Sequence, residues 1–144
     1  MSKSNYLENA ILNLLFNGTS ITGLAEDQVT TPLTNLWVSL HTDAGVIDDT
    51  STAVTNEAAY GNYAREPLIR GTDWSTSTTG SISPIANIDF TPAVSGTETI
   101  TQFAIVDSAS GAGNILYYGT VTPNISVTTG VTPRLTTATA ITEA

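Results

Sequence analysis

The chain has 144 residues, with 13 acidic against 4 basic side chains, a formal net charge of −9, a single histidine and no cysteine. The four cations, Lys3, Arg65, Arg70 and Arg134, are scattered, so neither phosphate neutralisation on a nucleic acid nor a polybasic membrane anchor is supplied. Absent cysteine excludes a disulfide framework, thiol catalysis and cysteine-ligated zinc.

About a quarter of the chain is Ser or Thr, and only 12% is charged, so the surface polarity comes mostly from hydroxyls. A chain of this length buries roughly two thirds of the surface that it exposes when unfolded, enough for a core of its own. The opening residues lead into Glu8 and Asn13, too polar for a signal-peptide core. No apolar run approaches the roughly 20 residues that span a bilayer. A soluble protein made in the cytoplasm is the expectation.

Asn5 and Glu8 form a loose capping pair at the start of the first element. Leu7, Ile11, Leu14 and Leu15 then recur at helical spacing, with Ala10 and Phe16 alongside. Asn17–Gly18 is a stop signal, so the pattern predicts a helix over about residues 5–16. Its broad apolar face needs a cover. The domain's own sheet is the expected one, and a neighbouring subunit is the alternative.

A loop over residues 18–34 follows. Leu36, Val38 and Leu40 then alternate with Trp37, Ser39 and His41, which predicts a strand with His41 on the opposite, outward face. Asp43–Ala44–Gly45 is a turn. Residues 46–61 form a long polar loop, of a length that is usually functional or covered by a partner. Asn62 to Arg70 reads as a strand interrupted by Pro67, hence an edge or a bulge. Residues 71–82 read as a mobile hydroxyl-rich stretch, apart from Trp74. Strands are predicted over Ile85–Phe90, Thr99–Val106 and Ile115–Val121, the last two joined by a hairpin loop at 107–113. Turns are expected at Pro123–Asn124 and Thr129–Gly130, with a Thr/Ala-rich strand towards Ile141.

One helix and seven or eight short strands, without βα alternation, indicate a mainly β protein. The expected architecture is a single antiparallel β-sandwich, jelly-roll-like or immunoglobulin-like, over residues 1–144 with the helix at its N-terminus.

Little of this material suits catalysis. Ser39, His41 and Asp43 contain the residue types of a hydrolytic triad, but no nucleophile elbow or oxyanion motif accompanies them. A strand-surface histidine pairing with a polar neighbour, and sensing pH weakly, is the expected role of His41. Asp43, Asp48 and Asp49 match no calcium-loop spacing, so solvated loop charge is expected and no metal or cofactor is assigned. Two glycosylation sequons, at Asn17 and Asn124, carry no weight without a secretory signal. Trp37, Tyr60, Tyr63, Trp74, Tyr117 and Tyr118 are more informative, since exposed Tyr and Trp favour interfaces and sugar-binding faces. Tyr60, Tyr63, Trp74 and the adjacent Arg65 are the candidate partner contacts.

Six segments in order carry a resemblance. They are Ile11–x–x–Leu14–Leu15–Phe16–x–Gly18; Leu36 to Asp43; Asn56–Glu57 with Tyr60 to Arg65; Ile88 to Ala93; Ile100 to Asp107; and Gly113 to Gly119. Together they resemble a family of small tailed-bacteriophage virion proteins often labelled tail fibre proteins. The Tyr63–Ala64–Arg65 and Leu116–Tyr117–Tyr118–Gly119 elements are the most specific. The loops near residues 50–56 and 72–83 depart from that family's usual pattern.

The resemblance implies a non-enzymatic virion component, made in the host bacterial cytoplasm. Fibres normally carry a trimeric stalk of repeats or heptads, and the sequence shows none. The first expectation is therefore a capsid decoration or cement protein, binding the shell in many copies and stabilising it by linkage. A tail or tail-fibre component involved in host attachment is the alternative, and a carbohydrate-binding module the second. The expected partners are other virion proteins, the major capsid protein before tail proteins, with homo-oligomerisation and neither nucleic acid nor membrane.

Overall fold

The structure, a computed structural model, describes residues 3–21, 24–25 and 32–143. Part of the predicted 18–34 loop, residues 22–23 and 26–31, lies outside them. Among the described residues are one helix, α1 (Asn5–Asn17), and eight strands: β1 (Asn35–Thr42), β2 (Glu66–Ile69), β3 (Ser81–Ile82), β4 (Ile88–Asp89), β5 (Glu98–Val106), β6 (Ile115–Val127), β7 (Arg134–Leu135) and β8 (Ile141–Thr142). Strand pairs β1–β5, β5–β6 and β3–β8 are all antiparallel. The protein is mainly β with one helix, as the sequence indicates. No helix of the described residues is long and apolar enough to cross a membrane.

The chain forms two compact units. The first comprises Met1–Asn35, Leu68–Ile88 and Leu135–Ala144; the second comprises Leu36–Pro67 and Asp89–Arg134.

In the first unit, α1 is capped by Ser4, whose Oγ accepts from the Leu7 N–H at 3.4 Å, and not by Asn5. The helix stops at Gly18, in the left-handed region at φ 66°, where the Gly18 and Thr19 N–H groups donate to the Leu14 and Asn13 carbonyls. Arg70 completes that end. Its Nε and Nη2 donate to the Leu15 and Leu14 carbonyls at 2.7 and 2.9 Å, placing a cation on the negative pole of the helix. Leu12 and Phe16 are fully buried, and Phe16 meets the Trp74 ring edge-on at 4.5 Å.

A second face of α1 is polar and docked. Asn9, Asn13 and Asn17 recur every four residues, so they line one side of the helix. Asn13 donates to the Ser77 carbonyl (3.0 Å) and accepts from the Ser77 N–H (2.9 Å), as a strand neighbour would. Asn17 donates to the Ser75 carbonyl, and Asn9 accepts from the Ser77 hydroxyl and the Gly80 N–H. Ser75, Ser77 and Gly80, in the stretch read as mobile, are thus bonded to the helix. The helix packs within its own chain, on this segment and on β3.

The second unit is built on the sheet of order β2–β1–β5–β6. Val38, Ser39, Leu40 and His41 are all fully buried, so β1 is covered on both faces and His41 is not on the surface as expected. β5 is buried from Gln102 to Val106. β2 is an edge strand and carries Pro67, as the proline predicted. β6, the other edge, runs on through Pro123 where a turn was predicted; an edge strand tolerates the missing N–H. Gly119 lies against Phe103, where a Cβ would approach the ring to 3.1 Å.

The β1–β5 and β5–β6 ladders both slip at Thr101, and β5–β6 slips again between Ile105 and Val106. Thr101 has no partner in either, since His41 pairs with Gln102 and Thr42 with Ile100 on one side. On the other, Gln102 pairs with Thr120 and Ile100 with Ile125, so residues 121–124 bulge out of β6.

Candidate functional site

The Tyr63–Ala64–Arg65 element supplies the most highly connected polar group of the second unit. The Arg65 side chain is 2% exposed. Its Nε and Nη2 make a bidentate pair with Glu57 at 2.6 and 2.8 Å. Nη1 donates to the carbonyl and hydroxyl of Ser108 at 2.9 and 3.0 Å, and Nη2 also to the Gly111 carbonyl at 2.8 Å. These contacts use the full donor capacity of a guanidinium. Glu57 holds the guanidinium charged, raising its pKa.

Tyr63 extends the network. Its hydroxyl accepts from the Leu40 N–H at 3.0 Å and donates to Glu57 at 3.1 Å, and burial pushes the phenol far above its ordinary pKa. The alternation of the element explains the pair: Tyr63 and Arg65 lie two apart on extended chain and so share a side. Tyr60 sits edge-on to Tyr63 at 5.3 Å and donates to the Thr91 carbonyl.

This network ties two loops together. Residues 43–59 carry Glu57, and the 107–113 hairpin tip carries Ser108 and Gly111. The long loop has a core of its own, in which Ile47 and Ala53 pack with Ala104 and Val106 beside Trp37 and Ile115. The Ala53 N–H donates to the Gly113 carbonyl, and the Ala58 N–H to the Leu40 carbonyl. Asp107 closes the hairpin tip by accepting from the Asn114 backbone and side chain. On the rim, Asp48 accepts from Thr50 and Ser51, which lowers its pKa, and Asp49 accepts from the Tyr118 hydroxyl. Asp43, Asp48 and Asp49 do not converge, and no group of three or more metal-ligating side chains occurs among the described residues.

His41 anchors the same loop from below. Nδ1–H donates to the Thr55 carbonyl at 2.8 Å, which can only accept, so Nε2 accepts from the Ser39 hydroxyl at 2.8 Å. Burial lowers its pKa. Both residues are fully buried, and the third partner is a carbonyl, not the carboxylate of Asp43. A serine–histidine bond exists, but no substrate carbonyl reaches it.

Of the four nominated contacts, the structure brings Tyr63 and Arg65 together on Glu57, with Tyr60 edge-on to Tyr63. Trp74 belongs to the first unit. Tyr60, Arg65 and Trp74 are buried and Tyr63 is half-buried, so these side chains hold loops in place and the exposed rim lies elsewhere. The Trp74 Nε1 finds no acceptor among the described residues.

The bulge in β5 and β6 opens a cleft of about 480 Å³ in the second unit, bounded by the Asp43–Val46 turn. Sequence reading missed it, because a slip in register leaves no residue-type signal beyond Pro123. It also missed the asparagine row of α1, although the four-residue spacing was visible.

Fold and network together describe a mainly β protein whose buried arginine and histidine fix the position of its loops. Residues 2–142 match the family described as podophage GP4 fiber I protein gp80, and the chain belongs to that family. It is thus a phage virion component of fibre type. No curated protein matches the sequence.

Proposed function

We propose that the chain is a non-enzymatic fibre subunit of a podophage virion, joined to neighbouring virion proteins through the rim of loops 43–59 and 107–114. The family match over residues 2–142 is the observation that carries this reading. The sealed Ser39–His41 pair supports the non-enzymatic part, and the Arg65 clamp supports the use of the loops. A subunit that docks on fixed neighbours loses less conformational entropy when its loops are already ordered. Exposed Val46 and Val54 on the first loop, with exposed Tyr118 of β6 bonded to Asp49 beside them, give the rim apolar contact area.

The fibre reading displaces capsid decoration as the first choice because of the family's description. The absence of a stalk repeat in the sequence is what still favours decoration. Cryo-electron microscopy of intact particles, with the protein located by a bound antibody fragment, decides between them. Copies confined to fibres at the tail are the expected result. Copies at regular positions over the whole shell would overturn it in favour of a cement role.

A further inference from the structure

We propose that the outer edge of β6 pairs with the same edge of a second copy of this chain, antiparallel and about a two-fold axis. The inference is independent of where the protein sits on the virion and rests on the sheet alone.

The sheet of order β2–β1–β5–β6 has two edges, and they are built differently. β2 is guarded. It is short, carries Glu66 and the exposed Pro67, and gives its Ile69 N–H to the Asp73 carboxylate at 2.7 Å. Shortness, charge and proline are the usual means of keeping an edge from pairing with another chain. β6 runs for 13 residues, where about 5–6 is usual. Its second half is interrupted by Pro123 and by the bulge over residues 121–124. Its first half has no such guard. Tyr117 to Thr120 pair in regular register with Ile105 to Gln102, and the run contains neither proline nor charge. From Tyr118 to Val127 no backbone group makes a backbone bond outside the β5 ladder among the described residues. Such outward N–H and C=O groups are a template for one more strand.

Charge selects the occupant. The chain carries a net charge of −9, so two copies repel one another over most of their surface. From Ser108 to Pro133 there is no charged residue, the longest such stretch in the sequence, and β6 lies wholly within it. Asp49, which reaches the strand, is already bonded to the Tyr118 hydroxyl at 2.9 Å. Two copies therefore meet here without opposing carboxylates on the strand, whereas a basic partner finds nothing on it to attract it. Exposed Tyr118, its ring oriented by that bond, and half-buried Leu116 add apolar surface to the open run. The contact is also closed. Like edges paired about a two-fold axis cover each other. The joined sheet then ends on a guarded β2 at either side, so growth stops at the dimer.

The test is sedimentation equilibrium of the full chain over a range of concentrations, with amide hydrogen exchange on the same samples. The expected result is a monomer–dimer equilibrium in which outward amides of the Tyr118–Thr120 run gain protection as the dimer fills. Thr120→Lys puts a charge on the exposed edge and enters the contact twice, once from each copy, so dimerisation should weaken about tenfold. Ile69→Lys makes the same change of charge on the β2 edge and should leave dimerisation in place. If either variant fails to fold, as seen by circular dichroism, the exchange pattern of the unaltered chain decides alone. The proposal is overturned if the dimer protects other amides and not these, or if both lysine variants weaken it equally. A chain that stays monomeric overturns it as well, and protection of the same amides only in the assembled virion would then give the edge to a strand of another virion protein.

Discussion

Arg65 is the residue on which the loop surface depends most directly. Its five N–H groups reach Glu57, Ser108 and Gly111, which lie on two different loops. Lysine carries the same charge but has no planar fork, so it cannot hold Glu57 bidentately and reach both loops. Arg65→Lys is therefore expected to cost about 2–4 kcal/mol, most of the penalty of breaking a buried pair. A urea midpoint measures this, and limited proteolysis should show cleavage moving to residues 46–58 and 107–113. An unchanged midpoint would mean that the clamp is dispensable.

His41 gives a pH dependence. Its folded pKa lies below the unfolded value of 6.5, chiefly because burial disfavours the charged ring. Above about pH 6.5 the ring is neutral in both states. As the pH falls from there towards the depressed folded pKa, the unfolded chain binds a proton that the native one does not. Stability is lost over that window, by at most about 1.4 kcal/mol per pH unit. Comparing urea midpoints at about pH 7.5 and 5.5 should show the fall, and His41→Gln should flatten it. An equal slope in the variant would assign the pH dependence to other groups.

At the scale of elements, the docking of residues 75–80 on α1 rests on asparagine side chains taking the place of backbone. Asn13 matters most, since it serves both the N–H and the carbonyl of Ser77, which is itself buried. Asn13→Ala leaves both backbone groups without partners and should cost about 2–3 kcal/mol. Hydrogen exchange at the Ser77 and Gly80 amides should accelerate relative to β5, and an unchanged Ser77 rate would remove the ladder from the account. The same row shows where sequence reading stops. The apolar residues of α1 announced a helix because a 3.6-residue period is a strong local signal. The asparagines obeyed the same period, yet nothing local says that a polar row faces a strand instead of water. The β5–β6 hairpin was legible because its alternation and its glycine-rich tip lie within one stretch of chain. Strand β4 is shorter than the predicted Ile85–Phe90 and β7 was not predicted, because two-residue strands are set by distant partners. The Tyr63–Arg65 pair was found as a motif, but its inward direction depends on Glu57, Ser108 and Gly111, which only the fold brings together.

The whole molecule poses the question of how its two units unfold. Domain boundaries usually fall in exposed, flexible linkers. Here the chain passes between units at four places, 35/36, 67/68, 88/89 and 134/135. Every one of these lies inside a strand: β1, β2, β4 and β7 respectively. Melting one unit alone would have to break the chain's pairing within each of these strands. The units are also assembled from three and two separate stretches of chain, so neither is a contiguous piece that could persist alone. We therefore propose that the chain unfolds as one domain, in a single two-state transition. The test pairs the variants already described. Asn13→Ala acts in the first unit and Arg65→Lys in the second, and each should shift the denaturation curve as a whole. Fluorescence of Trp74, in the first unit, and of Trp37, in the second, should report the same midpoint in single-tryptophan variants. If Asn13→Ala lowered the midpoint seen by Trp74 and left that seen by Trp37 in place, the units would be separate folding bodies. In that case the strands that run between them would be joints, and the second unit, with its clamp and cleft, would have to be stable while the helix unit is open.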